Sequence, residues 1–222
     1  VGRRKIKVAR TRTPIELDGS LAESAWKATQ EDELGEIGMG RLTVRTRVRV
    51  LYDDTHLYLG FECDEPLTKR LASGWWKSHG HDGKIYSQDC LEIFVDPIGD
   101  LGQYYHFICS AMPDSIYDAA FGLHKDPIHP MYNKSDGDWN GRWSSKGRID
   151  QQKKSWCVEV AIPFESMSAP PPAKGSIWKM NLGRERFVQN DHRGDPELFM
   201  WSPNLEERTF HSRTAFGDLV FD

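Results

Sequence analysis

Apolar and polar residues alternate most clearly between residues 86 and 97, which read Tyr-Ser-Gln-Asp-Cys-Leu-Glu-Ile-Phe-Val-Asp-Pro. Leu91, Ile93 and Val95 fall on one side of an extended chain, whereas Glu92 and Phe94 fall on the other. A period of two residues, ended by a proline, predicts a half-buried β-strand. We therefore expect the apolar trio to face the core and Glu92 to lie on the opposite face.

Glu92 has two interpretations at this point. A carboxylate flanked by the rings of Phe94 and Tyr86 can bind a polyhydroxylated ligand, because rings stack on C–H faces while the carboxylate accepts hydrogen bonds from hydroxyl groups. The alternative is an ordinary strand whose outer face carries one acid. The alternation alone leaves both interpretations open.

A second alternating stretch, residues 42–64, predicts a β-hairpin. Its apolar positions are interleaved with Arg45, Arg47 and Arg49, and Asp-Asp-Thr at 53–55 supplies a short polar turn. The three arginines form a ladder on one face of the first strand. Such a ladder is either a solvated outer face that discourages edge pairing or a basic strip in a groove for acidic sugars. The sequence does not decide between them.

A short helix is predicted near the N-terminus. Ser20 and Glu23 have the spacing of a capping box, which opens a helix that continues to about Lys27 and is anchored to the core by Trp26. Residues 1–14, which precede it, are expected to form a loose arm or an edge strand.

The remaining pattern predicts a fold made almost entirely of strands. Further strands are expected at residues 103–111, 116–121, 142–149, 155–163, 177–187 and 215–221. About ten strands with one short N-terminal helix indicate an all-β fold, an antiparallel β-sandwich. We expect a single domain over residues 1–222.

Composition and charge narrow the functional classes. The 222 residues are 38% hydrophobic and 28% charged, with a formal net charge of −4. No run approaches the roughly 20 apolar residues that span a bilayer. We therefore expect neither nucleic-acid binding nor membrane insertion. The N-terminus shows no apolar segment of a signal peptide.

The cysteines and two aspartates raise questions of cross-linking and metal binding. If the strand ending at Asp64 paired with the strand starting at Asp89, Cys63 and Cys90 would be neighbours. Their alternation places the two thiols on opposite faces, so we expect free, mostly buried thiols. The same pairing would bring the two carboxylates together at a sheet edge, where oxygen ligands suit calcium. Two solvated turn aspartates are the alternative.

Familiar catalytic motifs are missing from the sequence. It contains no phosphate-binding loop, dinucleotide-binding fingerprint or nucleophile elbow. Glu62 and Glu92 share outer-face parity, but an exposed face gives neither a means of raising its pKa, so we predict no catalytic pair. The long connection over residues 65–88 contains adjacent Trp75 and Trp76, which either fold back as a lid or form a ligand platform.

Five motifs in order resemble the carbohydrate-binding module family 9. They are Leu-Asp-Gly-x-x-x-Glu-x-x-Trp at 17–26, Val-Arg-Val-Leu-Tyr-Asp-Asp-x-x-Leu-Tyr-Leu at 48–59, Gln-Asp-Cys-Leu-Glu-Ile-Phe-Val-Asp-Pro at 88–97, Trp-Cys-Val-Glu-Val-Ala-Ile-Pro-Phe at 156–164 and Phe-Gly-Asp-Leu-Val-Phe at 216–221. The resemblance implies a β-sandwich of the wider group that includes the haem-binding DOMON domains. It also implies a secreted, periplasmic or cell-surface setting beside polysaccharide-degrading enzymes, and structural calcium.

The resemblance further implies site residues. In well-characterised members two tryptophans sandwich a terminal sugar of a cellulose or xylan chain, and these positions correspond here to Tyr86 and Phe210. The acid between them corresponds to Glu92. An arginine that those members carry in the next strand is replaced here by Ile108.

Three hypotheses follow. The first is a non-catalytic domain that binds a polysaccharide or oligosaccharide between its aromatic side chains, with His106 and Asn181 as further donors placed by strand parity. The second is a DOMON-like haem electron-transfer domain, in which Met131, Met180 or Met200 would ligate the iron together with a histidine. The third is a structural or docking domain of a larger glycoside-active enzyme.

Overall fold

The computed structural model describes residues 4–37, 43–72, 80–112, 116–124, 126, 128–130, 134–188, 196–204 and 209–222. These residues contain fourteen strands: β1 Lys5–Arg10, β2 Glu31–Glu33, β3 Gly35–Glu36, β4 Thr46–Tyr52, β5 His56–Asp64, β6 Cys90–Asp96, β7 Tyr104–Cys109, β8 Ile116–Phe121, β9 Ser135–Asp136, β10 Ser144–Asp150, β11 Ser155–Pro163, β12 Ile177–Arg186, β13 Glu197–Met200 and β14 Gly217–Phe221. The described helices are short: α1 Ser24–Ala28, α2 Thr68–Ala72 and 3₁₀ turns at Ile85–Ser87, Phe164–Met167 and Arg213–Ala215.

These strands form one continuous curled sheet. Its order across the described residues is β10-β11-β5-β4-β1-β14-β12-β6-β7-β8-β9, with β2 paired to β4 and β13 paired to β12 and β3. β1 joins the two halves, because residues 5–8 run parallel to β14 and Ala9 and Arg10 then run parallel to β4. The β-rich fold is confirmed. The ten-strand sandwich is corrected to one fourteen-stranded sheet, and residues 5–10 lie inside it instead of at an edge.

The main core lies on one face of this curled sheet. Apolar side chains from both halves, such as Phe61 on β5 and Phe107 on β7, belong to a single buried cluster. Leu91, Ile93 and Val95 of β6 lie in it, which confirms the predicted direction of that strand. A smaller cluster on the other face of β6 and β7 contains Ile37, Phe94, Tyr104, Met200, Phe210 and Phe216.

The β4–β5 hairpin forms as predicted, and Asp53 shows why it turns. Its Oδ1 accepts hydrogen bonds from the backbone N–H groups of Thr55 at 2.7 Å and His56 at 2.8 Å. Its Oδ2 accepts from the hydroxyl of Tyr58 at 2.8 Å. An aspartate that binds the backbone two and three residues ahead closes a turn without glycine.

The predicted start of the first helix is wrong. Helix α1 begins at Ser24, and Glu23 precedes it without a side-chain capping bond. The Oε1 atom of Glu23 instead accepts from the backbone N–H of Glu16. Gly19 and Leu21 have positive φ angles of 76° and 53°, so the turn continues past the predicted start.

The anchor role predicted for Trp26 is confirmed. Its ring is 1% exposed, and its Nε1 donates to Oε1 of Glu159 at 2.9 Å. The other oxygen of this fully buried carboxylate accepts from the backbone N–H groups of Asp18 and Gly19 at 2.9 and 2.7 Å. One acid on β11 therefore fixes both the helix and the turn before it.

Candidate functional site

Strands β12, β6, β7 and β8 lie side by side and present a second face, which we call the outer face. It carries the side chains that alternate with those of the main core. The strand register places Gly183 beside Glu92, and Phe94 beside His106. The turn Ile85–Ser87 and residues 209–216 lie against this face, because their rings contact the rings of β6 and β8.

The polar centre of the outer face is formed by Glu92, His106 and His211. Nε2 of His106 lies 2.8 Å from Oε2 of Glu92, and both residues are 5% exposed. The His106 ring stacks on Phe94 with centroids 4.2 Å apart. His211 is exposed, and its Nδ1 lies 3.0 Å from the hydroxyl oxygen of Tyr104.

Burial controls the charge of this polar centre. It raises the pKa of Glu92 to about 7 and lowers the pKa of His106 to about 3. Although part of His211 is exposed, desolvation by the residues packed around its ring, followed by the neighbouring His106, lowers the pKa of this histidine to about 4. Burial and then the charge of Glu92 raise the pKa of Glu185 to about 8. Near neutral pH both imidazoles are therefore uncharged, and Glu92 is close to half protonated.

A row of rings crosses this polar centre. Tyr86, which is 46% exposed, meets the edge of Tyr117 at 5.9 Å, and Tyr117 lies 6.1 Å from His106. On the other side of His106, Phe94 lies 6.4 Å from Phe210. Tyr86 and Phe210 therefore lie at opposite ends of one row. Their environments differ, because Phe210 is only 7% exposed.

The family of the chain follows from its full sequence pattern. The family described as "Carbohydrate family 9 binding domain-like" matches residues 17–222. The chain belongs to this family. Endo-1,4-beta-xylanase A of Thermotoga maritima is 30% identical over 168 residues, which are 75% of this chain and 13% of that enzyme. The chain thus corresponds to a small part of the xylanase.

Two solved structures share the fold. A carbohydrate binding module family 9 from Caldicellulosiruptor kristjanssonii, in complex with cellotriose, has a TM-score of 0.66 and 15% identity, covering 99% of this chain and 94% of that one. A protein from Bacteroides uniformis has a TM-score of 0.71 and 17% identity, with 100% of both chains covered.

Two residues of this family 9 domain that the sequence analysis singled out, Ile108 and Asn181, are both buried. Ile108 is 1% exposed and packs with Ile85 and Cys90 in an apolar patch, at the position where the resemblance implies an arginine in other members. Asn181 is fully buried; its Nδ2 donates to the carbonyl of Ser202, and its Oδ1 accepts from the Ser202 backbone N–H, both at 3.0 Å. A ligand would have to compete with these bonds. The donor role of Asn181 stays a prediction.

The sequence did not identify several residues that the structure places at the site. Tyr104, Tyr117 and Glu185 lie on the outer face, and strand parity would have found them. His211 lies in a loop without periodicity, so the one sequence feature that could have identified it is its position next to Phe210. Trp75, Trp76 and Met131 lie outside the described residues.

Burial of Glu92 corrects the expectation of an exposed acid. Covering segments remove it from water and raise its pKa, whereas Glu62 keeps 38% of its side chain exposed and binds Arg47 at 2.8 Å. The two glutamates also lie on β5 and β6, which four strands separate. They do not form a pair.

The predicted calcium pair rests on a strand pairing that does not occur. β5 and β6 are not neighbours, and each aspartate faces an arginine: Asp64 binds Arg47 at 2.8 Å and Asp89 binds Arg70 at 2.9 Å. Neither belongs to a group of three potential metal ligands among the described residues. This pair therefore does not fit a calcium site. The expected free thiols are confirmed, with Cys63, Cys90 and Cys109 buried and Cys157 half-buried.

The arginine ladder is occupied by carboxylates. Arg45 binds Glu33 at 2.7 Å, and Arg49 binds Glu31. With Arg47 bound to Glu62 and Asp64, all three guanidinium groups already face acids of neighbouring segments. This arrangement favours the structural interpretation over a basic groove.

The haem hypothesis gains no support from Met180 and Met200, the two candidate ligands that lie within the described residues. Met180 lies in the main core and Met200 in the smaller cluster, each fully buried among apolar side chains.

Among the helices that the structure describes, none has the length and apolar character needed to span a membrane.

Proposed function

We propose that this domain is a non-catalytic module that binds the end of a neutral polysaccharide, or a short oligosaccharide, on its outer face. The observation that carries the proposal is an exposed ring, Tyr86, beside a buried and mostly uncharged polar centre. Membership of family 9 and the cellotriose bound to a protein of the same fold support the ligand class.

The chemistry of the polar centre suits hydroxyl groups. Neutral imidazoles and a carboxyl group that is close to half protonated can each donate or accept a hydrogen bond. Sugar hydroxyls also do both, and no net charge has to be removed from water. Acidic sugars are disfavoured, because Glu92 and Glu185 lie on this face while the arginine ladder binds other carboxylates.

The rings supply the stacking surface. Tyr86 is exposed enough to cover one face of a sugar ring, and an aromatic contact of this kind contributes about 0.5–1.5 kcal/mol beyond area burial. Phe210 is packed against Phe94 and over Gly183. We therefore assign its ring to the base of the site and do not expect it to stack on the sugar as an exposed ring.

Calorimetry with cellotriose and with xylo-oligosaccharides tests the proposal. Tyr86→Ala should weaken binding by about two- to tenfold, the factor that corresponds to the loss of one stacking contact. Ile98→Ala is the matched control, because it removes a comparably exposed side chain that is 59% accessible in the turn after β6. Unchanged affinity in the Tyr86 variant, or no binding of any neutral glycan by the unmodified domain, would refute the placement.

The cellular setting is part of the same proposal. We place the domain outside the cytoplasm, within or beside a polysaccharide-degrading enzyme, on the strength of its family and of its xylanase relative. A docking role without a ligand would show as a domain that binds no glycan. An absorption spectrum without a Soret band would dismiss the haem alternative.

A further inference from the structure

A second group of potential ligands lies beside the outer face, where the segment before Tyr86 meets β8. Nε2 of His81 is 3.1 Å from Oδ2 of Asp118 and 3.7 Å from Oδ1 of Asp82. In a tetrahedral complex with bonds of about 2.0–2.2 Å, neighbouring ligand atoms are about 3.3–3.6 Å apart. Both distances from the imidazole nitrogen are therefore close to those between two ligands of a bound metal, and the ligand atoms of His81, Asp82 and Asp118 all lie within 4.8 Å of one another.

Asp118 supplies an independent sign of a missing partner. The residue is fully buried, and its Oδ2 accepts from Nε1 of Trp143 at 2.6 Å and from the backbone N–H of Gly141 at 3.2 Å. Its Oδ1 is equally buried and has no hydrogen-bond partner. Oδ2 therefore has its hydrogen bonds, whereas Oδ1 is a buried carboxylate oxygen without one, and burying such an oxygen is costly unless a cation compensates it. A cation beside Asp118 would remove this cost.

We propose that His81, Asp82 and Asp118 form a binding site for a divalent transition metal, with Zn²⁺ as the ion that fits best. One imidazole nitrogen and two carboxylate oxygens are zinc ligands, whereas calcium takes six to eight oxygens. The side chains of His81 and Asp82 are 36% and 40% exposed, so an ion can enter from solvent and water can complete its coordination. Trp143 and Gly141 hold the buried carboxylate in place.

This metal site would fix the segment that carries the stacking ring. The backbone N–H of Asp82 donates to the carbonyl of Ile116, and the turn Ile85–Ser87 follows directly. Tyr86 contacts Tyr117, which precedes Asp118 on β8. A metal would cross-link these two segments and hold Tyr86 ready for its ligand. This consequence rests on the proposed function, whereas metal binding itself does not.

Calorimetry with ZnCl₂ on the chelator-treated domain, without sugar, tests the site. We expect one ion per chain, and His81→Ala and Asp118→Asn should weaken binding by at least about tenfold, since even outer partners of a metal ligand contribute that much. Asp82→Asn should also weaken it. Asp82 has φ of 61°, a conformation that asparagine tolerates, so this variant keeps its backbone even if the buried variant fails to fold.

His124→Ala is the control, because the His124 and His129 rings stack at 3.9 Å and form a competing histidine pair. Its Zn²⁺ affinity should equal that of the unmodified domain. Absence of Zn²⁺ binding, or loss in His124→Ala but not in His81→Ala, would overturn the site. Sugar affinity should rise when Zn²⁺ is bound, and equal affinity with and without Zn²⁺ would overturn the coupling. Zn²⁺ binding without any sugar binding would contradict the proposed function alone.

Discussion

Replacing Glu92 by glutamine should make the domain more stable at neutral and alkaline pH. The carboxyl group is 5% exposed and lies against an imidazole that burial keeps uncharged. Glutamine has nearly the same shape and both a donor and an acceptor, so the contact with His106 is retained. The substitution removes one property, the ability of this group to ionise in a buried position.

The size of the effect follows from the pKa of Glu92. Burial raises it from 4.5 to about 7, so the native state binds more protons than the unfolded chain between these values. The stability linked to this proton is fully present below pH 4.5 and is lost as the pH rises through 7. The shift corresponds to about 3 kcal/mol. Glutamine avoids this loss, so the variant should gain about 2–3 kcal/mol relative to the unmodified domain between pH 5 and pH 8.

Thermal or urea unfolding at pH 5 and pH 8 measures this difference. For a domain of this size, the gain corresponds to a relative increase in Tm of roughly 5–10 °C. Glu165→Gln is the control, because Glu165 is exposed in the turn Phe164–Met167 and should leave the pH dependence unchanged. The affinity for a neutral oligosaccharide should also lose its dependence on pH near 7 in the Glu92 variant.

One result would refute this reasoning. If Glu92→Gln changed stability by the same amount at both pH values, the carboxyl group would titrate at its ordinary pKa, and the outer face would be accessible to water. Its polar centre would then be charged at neutral pH, and the preference for neutral sugars would lose its basis.

Two further substitutions test the packing of the site and of the core. Gly183→Ala places a Cβ 2.9 Å from the ring of Phe210 and should weaken sugar binding severalfold, because it displaces that ring. Gly35→Ala, whose Cβ would have no neighbour closer than 3.9 Å, is the control, and equal affinities of the two variants in calorimetry would contradict the proposed role of Phe210. Glu65, which is fully buried, binds both Arg184 and Arg186, so Glu65→Gln leaves two buried guanidinium groups without their shared carboxylate and should cost about 3–5 kcal/mol in urea unfolding. The partly exposed Glu62→Gln should cost at most about 1 kcal/mol, and similar losses in both variants would contradict the importance of the buried network.

The sequence predicted those features that depend on local periodicity. The direction of Leu91, Ile93 and Val95 followed from alternation, and so did the outer-face position of Glu92 and His106. The β4–β5 hairpin followed because Asp53 closes its turn with nearby backbone groups. In each case the residues that decide the structure lie within a few positions of each other.

Features that depend on distant segments were not predictable in this way. Glu92 is buried by the turn around Tyr86 and by residues 209–216. The sequence pattern of β6 does not indicate that either segment packs over it. The predicted proximity of Asp64 and Asp89 was wrong because β5 and β6, although close in the sequence, are not neighbours in the sheet. His211 reached the polar centre through a loop, where sequence spacing carries little information about position.

The placement of β1 has a consequence for how the chain folds. This strand is held between β14 and β4, so Lys5 pairs with Asp218, and the two halves of the sheet remain unjoined until one of the last segments of this sequence is in place. Contacts between positions so far apart are slow to form. During synthesis, β1, β4 and β5 can pair early, and the edge of β1 that receives β14 then stays open. Closure of the sheet is therefore a late event, and a truncation that removes β14 should leave a chain that aggregates instead of a smaller stable domain.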